Sequence, residues 1–222
     1  MNIKTITFKS VLFSFMMLLC ATAFSQSNEE TLKQIDKIAL KMFTDMNNRD
    51  YDAIIEMTHP KVFEIIPKES MKDVFKSMFE GNEEFSIDVP KTIPKYKLSK
   101  VFINEKDSLK YVFVSYDMAM KMTFHKQEFD DESKNMMKNV MLAKGMEVSF
   151  ISNNSMDIFM KDRVTIVLKD NTTNNKWVMV NYDADSPLFY NIVPASLLES
   201  AKSYNQDLMI ERKKREEEKT NN

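Results

Sequence analysis

The stretch that most limits what this chain can fold into runs from Arg163 to Asp183. Two runs rich in β-branched and aromatic residues flank a polar knot, Asp170 to Asn175, which is how a β-hairpin reads in sequence. Side chains alternate across a strand, so Val164, Ile166 and Leu168 share one face of the first run, and Trp177 and Met179 share a face of the second. Trp177 is the only tryptophan, and a large ring with one polar handle anchors a core. The helices are therefore expected to pack against the sheet that this hairpin closes.

Glycine and cysteine usage narrows the function. Gly81 and Gly145 are the only glycines. Phosphate loops, dinucleotide fingerprints and Gly-flanked serine elbows need glycines close together, so families built on them are excluded. The single cysteine, Cys20, falls within residues 1–25, which read as a secretory signal. Lys4 and Lys9 give a basic start, Val11 to Leu19 an apolar middle, and Ala23-Phe24-Ser25 small residues at the cleavage positions. The apolar run is short for a membrane span, and no later stretch qualifies as one. An uncleaved anchor and a lipid-modified Cys20 are the alternatives, the second disfavoured by the bulky Leu19 beside it.

Cleavage leaves an exported chain, periplasmic or secreted, with no disulfide, thiol nucleophile or thiolate ligand. Its stability rests on a buried core, which a chain of this length can supply. Cleavage also removes two lysines from 31 basic residues set against 33 acidic ones. A mildly acidic chain without a basic block has no footprint for nucleic acid or for an anionic membrane surface.

Along the chain, Leu32, Ile35, Ala39, Met42, Phe43 and Met46 recur at three- and four-residue spacing, which predicts one helix over Glu29 to Arg49. Asp50 is placed to cap a second, Tyr51 to Met57, ended by Thr58-His59-Pro60. Lys61 to Ile66 lies between prolines and reads as extended. A helix from Lys68 to Glu80 would bury Met71, Val74, Phe75, Met78 and Phe79, with Gly81 as a left-handed cap. Phe85 to Val89 and Tyr96 to Asn104 read as strands. Leu109 to Phe124 is the longest strand, with an apolar even file from Val112 to Phe124 and a more polar odd one. Tyr111 and Phe113 break the polar file and suggest a contact surface. Phe129 to Lys144 is helical in its later part, Glu147 to Ser152 and Met156 to Met160 form a strand pair, and a last helix starts at Pro194. Residues 26–210 are thus one α+β domain, and residues 211–222 a charged stretch expected to be a frayed helix end or a disordered tail.

Helices first, then a long strand and a Trp-bearing terminal hairpin, is an order that resembles the nuclear-transport-factor-2-like superfamily, which includes ketosteroid-isomerase-like and SnoaL-like proteins. The residues carrying the likeness are the joint Asn47-Asn48-Arg49-Asp50-Tyr51-Asp52, the Thr58-His59-Pro60 exit and the Val164 to Tyr182 hairpin. The resemblance spans Glu29 to Pro194. It implies a curved antiparallel sheet wrapped on N-terminal helices into a cone, an apolar pocket at the open end, and often a homodimer across the sheet's outer face. Two departures, the long His125 to Ser152 segment and the additional C-terminal helix, would close or fill the pocket. The fold hosts many activities and settles none of them.

The candidate pocket residues are His59, Tyr116, Met118, Met120 and Trp177. Enzymes of this superfamily place Asp, His or Tyr inside the cone for proton transfer, tuned by burial. Asp117 falls on the polar file and points away. Tyr116 points inward among methionines, as core tyrosines do. His59 follows a helix end, where an imidazole can cap carbonyls, and nothing pairs with it as a base. His125 reads as a solvated loop residue, and two histidines without cysteine or a close carboxylate spacing make a weak case for zinc. Met118, Met120 and Met122 on one face would suit Cu(I), but methionines spread over every helix favour the role of adaptable filler. No cofactor, metal or catalytic residue is assigned. The expectation is a non-enzymatic module that binds a small apolar ligand or serves as an interaction domain. The alternative is an isomerase-, dehydratase- or hydrolase-like enzyme, which needs a buried carboxylate within reach of His59 or Tyr116.

Overall fold

The computed structural model describes residues 28–183 and 186–220. The expected signal over residues 1–25, Cys20 included, lies outside them.

Seven strands among the described residues form one antiparallel sheet: β1 (Phe85–Asp88), β2 (Tyr96–Leu98), β3 (Phe102–Asn104), β4 (Leu109–Phe124), β5 (Met146–Phe150), β6 (Ser155–Lys169) and β7 (Val178–Asn181). The long strands β4 and β6 run side by side. β3, β2 and β1 line up along the other edge of β4, while β7 and β5 share the far edge of β6. The segment Tyr96 to Asn104 is two strands rather than the one expected. At the break, Ser99 donates its N–H to Phe113 O and accepts the Phe113 N–H on its hydroxyl, both at 2.9 Å. A side chain has taken over one rung of the ladder.

Of the strand pair expected over Glu147 to Ser152 and Met156 to Met160, the first is β5, while the second merges with the first arm of the hairpin into the continuous β6. It carries a bulge: Tyr116 pairs with Arg163, but Met118 pairs with Met160, so β6 uses one residue more than β4. Asp162 takes φ 53° there, and its N–H donates to Asp117 Oδ1 at 3.0 Å. A bulge bends the sheet and reverses the inside–outside parity of the strand beyond it. Ile158 and Met160 therefore lie on the opposite face from Val164, Ile166 and Leu168.

Helices cover both faces. On one, α1 (28–48) buries Ile35, Ala39, Met42 and Phe43 against Val112, Val114, Val167 and Met179. The apolar stripe at helical spacing makes that packing possible. α2 (Tyr51–Met57) follows, capped by Asp50, whose side chain accepts the Ala53 N–H at 3.0 Å. On the other face, α6 (Pro187–Ile192) and α7 (Ala195–Thr220) bring Phe189, Leu197, Ala201 and Leu208 onto Leu109, Tyr111, Phe113, Val164, Ile166 and Leu168. Tyr111 and Phe113, expected to mark a contact surface, are 6 % and 0 % exposed beneath this cover. This half of the outer face, which the resemblance assigns to a dimer contact, is occupied by the chain itself.

Four further expectations are corrected. Residues 211–220 continue α7 instead of forming a disordered tail. Lysine, arginine and glutamate are good helix formers, and two ion pairs bind this end to β6, Arg212–Asp162 at 2.7 Å and Lys161–Glu216 at 3.1 Å. Lys61 to Ile66 is not extended but holds a short helix, α3 (Val62–Ile65). Proline restrains the residue before it yet is well placed at a helix start, and Pro60 O accepts the Phe63 N–H at 3.0 Å. Next, α4 (Lys68–Glu80) has the expected bounds but buries only Phe79, with Val74 and Met78 exposed. Gly81, finally, ends α4 at φ 80°, ψ −163°, which is not the left-handed helical cap but a region open in practice to glycine alone. The remaining helix, α5 (Asp131–Ala143), buries none of its residues and packs on β5. Trp177, just before β7, is half-buried against the α1-side cluster, with Lys169 Nζ 4.9 Å from its ring centre.

Candidate functional site

A cavity of about 330 Å³ lies between the sheet face that carries Tyr116 and the helices α1 to α4, with Phe189 and Ile192 of α6 joining its lining. Three of the candidate residues line it. Tyr116, Met118 and Met120 share the even face of β4, and Met160 joins them from β6 because the bulge has reversed that strand's parity. Met42 and Met46 from α1, Met71 and Met78 from α4, and Met179 from β7 bring the lining methionines to eight. A smaller cavity of about 180 Å³ adjoins it, the two sharing Met46, Phe79, Tyr116 and Met118. Unbranched thioethers adapt to irregular contents, so the wall between the lobes is built from side chains that can yield.

One end of the larger cavity is polar. Tyr116 lies directly across from Arg163, and Thr165 across from Asn181, and all four line the cavity. Thr165 donates to Asn181 Oδ1 at 2.8 Å. A hydroxyl has one hydrogen, so in the 3.4 Å contact between Tyr116 and Thr165 the tyrosine is the donor. That contact is long for an O–H···O bond, and the Tyr116 hydroxyl is loosely held. Its ring is fixed more firmly, edge-on to Phe43 with centroids 4.9 Å apart. Arg163 is half-buried, and its guanidinium makes no hydrogen bond or ion pair with another described residue.

The other two candidates lie elsewhere. His59 is 1 % exposed and lines neither cavity. Its backbone N–H donates to Met179 O at 2.9 Å and its Nδ1 accepts the Lys61 N–H at 3.2 Å. Burial pushes its pKa down, opposed by the charge of Asp170. The ring thus caps the Lys61 amide, while the His59 backbone ties the α2 exit to β7. Trp177 lines neither cavity.

Among the described residues, no carboxylate is hydrogen-bonded to the side chain of His59 or Tyr116, as an acid–base enzyme would require. Asp117 is at the rim of the smaller cavity, but its carboxylate holds the bulge amide of Asp162. Tyr51 and Tyr96 do donate to carboxylates, Glu80 at 2.9 Å and Asp36 at 2.7 Å. Burial and these bonds push both phenols up to about 12, the wrong direction for a base, and neither lines a cavity. His125 is exposed. No cluster of three or more His, Cys, Asp or Glu side chains placed to hold a metal occurs among the described residues, and no helix among them is long and apolar enough to cross a membrane.

Sequence reasoning missed Arg163, Thr165 and Asn181. Their alternation was legible, but their convergence on Tyr116 depends on the β4–β6 and β6–β7 registers, which leave no mark in composition. No family model, curated protein or solved structure matches the chain.

Proposed function

We propose that this protein is a non-enzymatic binding module that takes up a small apolar molecule between its helices and its sheet. The observation that carries the reading is the methionine-lined cavity of about 330 Å³. It falls at the lower end of the range for small-molecule sites, roughly 300–1,000 Å³. An adaptable apolar wall with a few convergent polar groups at one end is the usual build of such sites. The nuclear-transport-factor-2-like resemblance and export from the cytoplasm belong to the same proposal. The first is supported by helices leading into a bent antiparallel sheet, and the second by the pattern of residues 1–25 alone. An acid–base enzyme finds less support, because no carboxylate of the described residues pairs with the tyrosine in the cavity.

A fluorescent apolar probe, N-phenylnaphthylamine, titrated into the purified mature chain tests this. Saturable uptake of one probe per chain is expected. Met120→Trp, which places an indole in the larger cavity, should weaken that uptake while the thermal melt stays cooperative. A wild-type chain that shows no saturable uptake is not a ligand carrier, and the interaction-module reading then replaces it.

A further inference from the structure

We propose that the ligand of this cavity is an amphiphile with an anionic head, a medium-chain carboxylate, whose head is held by Arg163 and Tyr116. This rests on the apolar-ligand reading above and adds the chemistry of one end of the ligand.

One charge in the cavity wall has no ion-pair partner among the described residues. Arg163 lines the cavity, is half-buried, and makes no hydrogen bond or ion pair with a described residue. The half-buried cations at the bulge, by contrast, are paired, Arg212 with Asp162 and Lys161 with Glu147. A cation partly removed from water without a counter-charge is unfavourable unless an anion completes it. Guanidinium is the side chain best shaped for that role, since its planar fork matches a carboxylate with two parallel hydrogen bonds.

A second donor stands beside it. Tyr116 is the cross-strand partner of Arg163 on the same sheet face, and side chains so placed lie within reach of one group. The only hydrogen bond its hydroxyl makes with a described residue is the long one to Thr165, which a carboxylate oxygen could replace with a shorter, charge-assisted bond. Thr165 keeps its own bond to Asn181 either way. Asp183, the other charged residue lining the cavity, is exposed and has an interaction of its own, which leaves Arg163 as the half-buried charge at this end.

From the Arg163–Tyr116 pair the cavity continues along β4 over Met118 and Met120 and beneath Met71 and Phe75 of α4. The course is apolar, and its volume suits a chain of moderate length more than a bulky ring system. A polar clamp at one end of an oily run is the complement of a carboxylate on an alkyl chain.

Dodecanoate and dodecanol, equal in chain and different in head, give the test by isothermal titration against the mature protein. The acid should bind at least about tenfold more tightly than the alcohol, the scale of one charge-assisted contact. In Arg163→Met the ratio of the two affinities should fall to near one, and Arg163→Lys should restore part of it. Equal binding of acid and alcohol by the wild type would leave the apolar cavity standing and overturn the anionic head. Parallel weakening of both ligands in Arg163→Met, with the ratio kept, also overturns it, because the arginine then acts only on the fold. Binding of neither removes the apolar reading and this inference with it.

Discussion

Phe113→Ala tests the claim that the second face of the sheet is interior. Phe113 is 0 % exposed. Its ring stacks on Tyr204 of α7 at 4.5 Å and 17°, and meets Phe102 and Tyr111 edge-on, each at 5.4 Å. Truncating a buried phenylalanine costs about 3–5 kcal/mol. Each aromatic pair adds about 0.5–1.5 kcal/mol beyond its buried area, and three such pairs place this site at the upper end, about 5 kcal/mol. For a chain of this length about 2–4 °C is lost per kcal/mol, so Tm should fall by roughly 10–20 °C. Were the face instead an open contact surface, the cost would stay within about 0.5 kcal/mol. Thermal melts followed by circular dichroism at several protein concentrations separate the two cases. A loss below about 3 °C, or a wild-type Tm that rises with concentration as an intermolecular interface requires, would refute the assignment of α7 to this face.

Two further predictions concern the backbone and pH. A Cβ at Gly81 would sit 2.3 Å from Phe85 O and 2.6 Å from Ser86 Cα, so Gly81→Ala should cost roughly 3 kcal/mol or more in urea titrations. Gly145, also at positive φ but with nothing near a built Cβ, is the control, and Gly145→Ala should cost only about 1 kcal/mol; equal losses would show that the Gly81 contact yields freely. His59 has a folded pKa depressed below its ordinary 6.5, so the unfolded chain binds the proton more readily. The stability this group contributes is fully present above 6.5 and is lost as pH falls from there through the folded value. Between about pH 8 and about pH 5.5 the wild type should therefore lose more Tm than His59→Gln does, and equal losses would place the imidazole in water.

Much of the fold was legible because it follows from short-range rules. The bounds of α2, α4 and β4 follow from an acidic cap, a glycine stop and an uninterrupted alternation, all written in neighbouring residues. What was not legible depends on contacts distant in sequence. Val74 and Met78 have the spacing of a buried stripe, yet α4 leans over a cavity and leaves them exposed. Residues 211–220 have the composition of a solvated tail, and only Asp162 and Lys161 on β6 give that end of α7 a place to dock. Within the candidate site, Tyr116, Met118 and Met120 could be found by parity on one strand. His59 could not be dismissed from sequence, because a histidine pinned by a backbone N–H and one aimed into a pocket look the same there.

The bulge at Asp162 joins these threads. On the Tyr116 side of it, the odd residues of β6, Arg163, Thr165 and Val167, share the face that carries Tyr116, Val114 and Val112. Had the strand run on without the added residue, Lys161 and Phe159 would have followed them, and a lysine would have stood where Met160 now meets Met118. The bulge turns Lys161 outward to Glu147 and Glu216 and turns Met160 and Ile158 inward. Three groups hold it: Asp117 takes the Asp162 N–H, Arg212 takes the Asp162 carboxylate, and Lys161 reaches Glu216. Burial raises the pKa of that carboxyl, and Arg212 is the first charge working against the rise. The polar end of α7, which composition alone would set aside, thus bears on the strand that decides whether the cavity floor is oily or charged.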